Sequence, residues 1–205
     1  IRKGRLHFSA SVTPLGQQFT VMNEVGKVVK DADLWVDGSL YEPDEKGRIT
    51  IPFSTQPGNV AAVVTQGDFS CLRPFNHVGE KYQFEAAIYL DRESLTRSNK
   101  AKVLIRPSLK IAGGNPVPVA MLESPKLVVT ATDLDGIATK KVIDGLKLSE
   151  ALETICEFVV PPRLSSVSLE LSADLKVVSE NKTQRMIARR NYQFNGIDKS
   201  DTIED

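Results

Sequence analysis

The sequence predicts an all-β protein built as two tandem antiparallel β-sandwiches, with little or no helix. Three observations carry this. Apolar and polar residues alternate with period two over most of the chain. Turn chemistry recurs roughly every eight to twelve residues. No helical pattern is long enough to cover a parallel sheet.

In chain order, "RLHFSASV" puts Leu6, Phe8, Ala10 and Val12 on one face. "QFTVMN" follows after the turn Pro14-Leu15-Gly16. Then come "ADLWVDG", "RITIPF", "NVAAVVTQ", "FSCLRPF" and "YQFEAAIYL", separated by Asp37-Gly38, Pro43 to Gly47, Pro57-Gly58, Gly67-Asp68 and Gly79. Glycine supplies positive φ at such breaks and proline presets the turn. In the second half, "AKVLIRPSLKIAG" reads as a strand bent or edged at Pro107. "KLVVTATD" and "ATKKVIDGLKL" flank Leu134-Asp135-Gly136, an Asp-Gly hairpin signal. The one helical candidate is "LSEALETI", with Ser149 as N-cap. "ICEFVV" is stopped by Pro161-Pro162. "SSVSLELSADLKVV" alternates without a break from Val167 to Val177, and "RMIARRNYQF" follows a polar hairpin loop.

About seven strands fall on either side of residue 90, the number expected of an immunoglobulin-like or fibronectin-III-like sandwich. The expected domains are 1–86 and 87–205. The 205 residues are 41% hydrophobic and 25% charged, enough for a sizeable core. Lys and Arg total 26, as do Asp and Glu, so no overall field attracts nucleic acid or anionic membrane. No apolar run approaches the roughly 20 residues that span a bilayer, so no membrane insertion is expected in this segment. The chain starts at Ile1 with no Met and no signal pattern, and reads as a mature form or an excised piece.

No constellation of residues announces chemistry. His7 faces away from the apolar side of its strand, and His77 follows Cys71 by six positions with no glycine-rich oxyanion loop. Cys71 and Cys156 match no zinc or redox spacing and read either as half-buried thiols or as a bridge between the halves. Asp133 and Asp135 resemble the opening of a calcium loop, but Ile137 to Lys141 supply no further oxygen ligands. Lys182, Arg185, Arg189 and Arg190 near Tyr192 read as the solvated face of an amphipathic strand. Asn181-Lys182-Thr183 is an N-glycosylation sequon. No catalytic residue, metal site or cofactor is expected.

Two stretches resemble known families. Residues 27–53, through Ala32, Leu34, Val36, Gly47, Ile49 and Ile51, resemble a carboxypeptidase-regulatory-like (prealbumin-like) sandwich. "IYLDRESLTRSNKAKVLIR", through Tyr89, Asp91, Arg92 and Leu95, is similar to the start of a macroglobulin domain of the α2-macroglobulin family. Leu95 stands where that family has an aromatic, and its Cys–Gln thioester and bait segment do not occur in this chain. The resemblance implies a scaffold role.

The expectation is a non-catalytic pair of structural or interaction modules from a larger extracellular, periplasmic or cell-surface protein. Its partners would be other domains of that protein or another protein. Asp91, Arg92 and Glu93 are the candidate interdomain contacts. The alternative is a carbohydrate- or ligand-binding accessory module of a secreted enzyme, with Trp35 and Tyr41, beside Phe53, as an aromatic platform.

Overall fold

The structure, a computed structural model, describes residues 5–97 and 100–197. It is all-β with antiparallel sheets, as the alternation predicts. The described residues divide into two compact units. Unit 1 takes 5–82, 110–117 and 178–181, and unit 2 takes 83–97, 100–109, 118–177 and 182–197.

Unit 1 holds β1 (His7–Thr13), β2 (Gly16–Met22), β3 (Asp33–Val36), β4 (Ser39–Tyr41), β5 (Arg48–Ile51), β6 (Gly58–Gln66) and β7 (Phe69–His77). They form two sheets, ordered β1-β2-β5 and β4-β3-β6-β7. The inward faces bury Phe19, Leu34, Ile49, Ile51 and Val64. Phe8, Phe19 and Phe75 meet edge to face, with ring centroids 5.0–6.1 Å apart, the arrangement that ring quadrupoles favour.

Most of β8 (Tyr82–Leu90) and β9 (Lys100–Ile111) lies in unit 2. A short helix, α1 (Arg92–Arg97), joins them; β10 (Asn115–Val117) and a 3-10 turn (Val119–Met121) follow β9. Then come β11 (Leu122–Asp133), β12 (Ala138–Asp144), β13 (Thr154–Val159), β14 (Leu164–Val177) and β15 (Lys182–Ile197). One sheet runs β12-β11-β14-β15; in the other, β9 pairs with β8, β10 and β13. The core between them includes Leu127, Val129, Phe158, Val167, Leu169 and Leu171. Tyr192 on β15 donates its hydroxyl to the Ile88 carbonyl of β8 at 2.7 Å.

Two local expectations change. "LSEALETI" is not a helix: Ser149 Oγ accepts the N–H groups of Ala151 and Leu152, but the chain is in β13 by Thr154. Burial of Cys156 and Phe158 at period two outweighs one local cap. The helix forms instead at α1, where Asp91 Oδ1 accepts the Glu93 N–H at 3.1 Å and Leu95 is fully buried. Pro107 leaves β9 continuous, because the pairing with β13 ends at Ile105 and asks no donor of it.

Three loops share one construction. Asn23, Asp44 and Asp133 each accept two backbone N–H groups on Oδ1, two and four residues on. Each is followed three residues later by a glycine at positive φ: Gly26, Gly47 and Gly136. At Asp44 the Arg48 guanidinium adds a 2.7 Å ion pair and, with the backbone donors, holds the carboxyl down at about 2. We expect Asp133→Ala to cost about 1 kcal/mol in urea denaturation, because two turn N–H groups lose their acceptor.

Candidate protein-binding face

The outer face of the β4-β3-β6-β7 sheet is the most distinctive surface. Trp35 pairs with Leu40 on one side and Val63 on the other, and Val63 pairs with Leu72. Residues directly opposite on adjacent strands share a face. Leu40, Trp35, Val63 and Leu72 therefore form one apolar row across all four strands. Trp35 is 44% exposed and Leu72 64%, while Val63 between them is half-buried. The next rows outward are Ala61 with Pro74 and Asp33, Thr65 and Ser70. Asp33 is the one charge in these rows. A large aromatic in an uncharged apolar row, with a single carboxylate in the rows beside it, is the composition of a binding hot spot, since little charge must be desolvated.

In unit 2, Tyr89 and Ile155 are exposed, and Leu104 pairs with Ile155. Arg106 and Glu153 close that patch with a 2.8 Å ion pair beside a hollow of about 190 Å³. A partner there would have to desolvate or displace that pair.

The expected platform is not assembled. Trp35 points out, whereas Tyr41, opposite the buried Leu34, packs against the unit 1 core, and Phe53 is buried. Asp91 caps α1, and Arg92 lies over the Phe194 ring at 5.9 Å, both in unit 2. Glu93 is exposed in the first turn of α1. Asn181 occupies the exposed turn between β14 and β15 at φ 46°.

Cys71 and His77 share the inner face of β7, but six strand residues separate their Cα atoms by about 20 Å. Cys71 Sγ approaches the Leu6 carbonyl, and His77 Nε2 lies 2.9 Å from the Pro52 carbonyl. Both cysteines are free thiols. Burial pushes the Cys156 thiol up, against the opposing charge of Lys141. Two of the basic residues of β15 meet acids on β14: Arg189 bonds Glu170 at 2.8 Å and Arg185 approaches Asp174 at 3.5 Å, whereas Arg190 lies over the Tyr192 ring at 5.6 Å. Asp133 and Asp135 serve the hairpin, with Asp135 paired to Arg163 at 2.9 Å.

A family profile described as the AbpF third immunoglobulin-like domain matches residues 91–200. The chain belongs to this immunoglobulin-like family. Over 213 aligned residues it is 27% identical to Actin-binding protein F of Dictyostelium discoideum. The alignment covers all of this chain and 9% of that relative. The immunoglobulin-like assignment stands where the sequence suggested a macroglobulin domain; sandwiches of both kinds share strand alternation. The expected extracellular, periplasmic or cell-surface location is overturned by the same relative, which is named for binding actin.

The row through Trp35 was only half readable in the sequence. Alternation put Trp35 opposite in direction to Leu34 and Val36. Which face was outward, and which residues lay beside it, depended on pairings with β4 and β6.

Proposed function

We propose that this chain is a non-catalytic, protein-binding pair of β-sandwich modules within a larger intracellular, actin-associated protein. Its partner docks on the outer face of the β4-β3-β6-β7 sheet. The observation that carries this is the uncharged Leu40–Trp35–Val63–Leu72 row. The immunoglobulin-like family supports the module, and the relative's name makes actin the first partner to test. In this setting Asn181 serves the turn, where an asparagine tolerates positive φ.

The test is co-sedimentation of the 205-residue chain with filamentous actin, beside the variant Trp35→Ser/Leu72→Ser. The wild type is expected to pellet with actin. The variant should lose affinity by at least about tenfold, since a central aromatic anchor contributes roughly 2 kcal/mol or more. Its circular dichroism should show an unchanged fold, because both side chains stand on the outer face of the sheet. Equal binding by the variant would remove the face from the reading. A wild type that does not pellet would remove actin as the partner.

A further inference from the structure

We infer that the chain associates with a second copy of itself through the free edge of β1, as an antiparallel β1–β1 ladder about a twofold axis. An unpaired strand edge offers a row of N–H and C=O groups to another strand, and proteins usually block it. The other edges here are blocked. β4 has three residues and β5 four. Pro74 interrupts the donors of β7. β12 carries Lys140 and Lys141, and β15 carries Arg185 and Arg189. The Glu157 carbonyl of β13 accepts Lys141 Nζ, and the Ile88 carbonyl of β8 accepts the Tyr192 hydroxyl.

Arg73 Nε donates to the Leu6 carbonyl just before β1 at 2.8 Å, but the strand from His7 to Thr13 carries none of these devices itself. His7–Thr13 contains no proline, lysine, arginine, aspartate or glutamate. Ser9, Ala10 and Ser11 are exposed. Among the described residues β1 pairs within its sheet with β2 alone, and β10 approaches it without pairing. Beside it opens a hollow of about 690 Å³ lined by Arg5, His7, Phe8, Glu24, Arg73 and Pro74.

The residues themselves select a second copy as the occupant. With Ala10 on the twofold axis, Ser9 faces Ser11 of the other copy, Phe8 faces Val12, and His7 faces Thr13. Directly opposed residues lie on the same side of a sheet. Phe8, Ala10 and Val12, which pair with Val21, Phe19 and Gln17 on the core side, would therefore meet their counterparts on that side. Hydroxyls would meet hydroxyls outside. No carboxylate, lysine or arginine is opposed anywhere along the ladder. The result is one six-stranded sheet with a self-complementary seam.

Sedimentation equilibrium of the 205-residue chain up to millimolar concentration tests this. The wild type is expected to be a reversible dimer. Ser9→Lys/Ser11→Lys places like charges opposite each other at both symmetric contacts and should raise the dissociation constant about tenfold. Ser9→Lys/Ser11→Glu places lysine opposite glutamate at both and should restore dimerisation. Both sites are exposed, so circular dichroism should show unchanged folds. A wild type that stays monomeric overturns the proposal, including the case in which β1 accepts only a segment of a different protein. A dimer indifferent to the double lysine, or not rescued by the lysine–glutamate variant, overturns it too. Trp35→Ser/Leu72→Ser should leave the dimer intact, which separates this test from that of the actin-facing row.

Discussion

Replacing Gly16 with alanine is expected to destabilise unit 1 by about 3 kcal/mol or more, lowering the melting temperature by roughly 10 °C. Gly16 opens β2 directly after the Pro14-Leu15 loop, and its φ is 134°. That conformation strains any L side chain. A Cβ there would also overlap the Ile51 carbonyl oxygen, with the Ile51 carbonyl carbon at 3.0 Å. Both are backbone atoms of β5, whose Ile51 pairs with Gln17 in the next ladder position. Relief therefore means pulling β5 away from β2 and disturbing the packing of Ile49 and Ile51. Gly38→Ala is the control. Gly38 also has positive φ, 81°, but nothing lies within 4 Å of its added Cβ. It should cost about 1 kcal/mol, the conformational term alone. Differential scanning calorimetry of both variants checks the contrast, and equal melting temperatures would refute the steric account.

Glu80→Gln is expected to cost about 2 kcal/mol at neutral pH, and the cost should shrink as the solution is acidified. Glu80 is only 8% exposed. Its Oε1 accepts the Tyr82 hydroxyl at 2.9 Å and the Val178 N–H at 3.1 Å, and its Oε2 accepts the Ser179 N–H at 2.6 Å. All four residues belong to unit 1. Burial pushes this carboxyl up, but the donors from Ser179, Val178 and Tyr82 outweigh it and hold it below its ordinary value of 4.5. A carboxyl lowered in the folded state stabilises fully above its unfolded value. It loses that contribution as pH falls through the folded value. The wild type should therefore lose stability below about pH 4.5, and the glutamine variant should show a flatter acid limb. Burial and the adjacent carboxylate push the Tyr82 hydroxyl well above its usual range, so no matching alkaline transition is expected near neutrality. Chemical denaturation at pH 7 and pH 3 checks both parts. A neutral-pH cost that persists undiminished at pH 3 would refute the charge-assisted origin.

Local chemistry was largely legible. The strands of both units follow the alternation, because a half-buried strand can satisfy only one face at a time. The Asx-x-x-Gly turns at Asn23, Asp44 and Asp133 are legible too, since side chain and glycine act within five residues of each other. Local chemistry misled where it was weak. Ser149 offered a cap, yet the burial of Cys156 and Phe158 claimed that segment for β13. Asp91 offered a cap of similar quality, and α1 formed because Leu95 could bury there.

The all-β class, the positions of the turns and the absence of charge from His7 to Thr13 are legible in the residues alone. These follow from period-two burial and from backbone demands that a few adjacent residues meet. Long-range strand pairing sets Trp35 and Tyr41 on opposite faces and makes β1 the end of a sheet while β2 lies inside one. Tertiary packing places the two N–H donors of Val178 and Ser179 on a glutamate nearly a hundred residues earlier in the chain. Strand order and cross-strand neighbours arise from hydrogen-bond ladders between distant segments, and one strand's pattern fixes its two faces without naming what lies beside it.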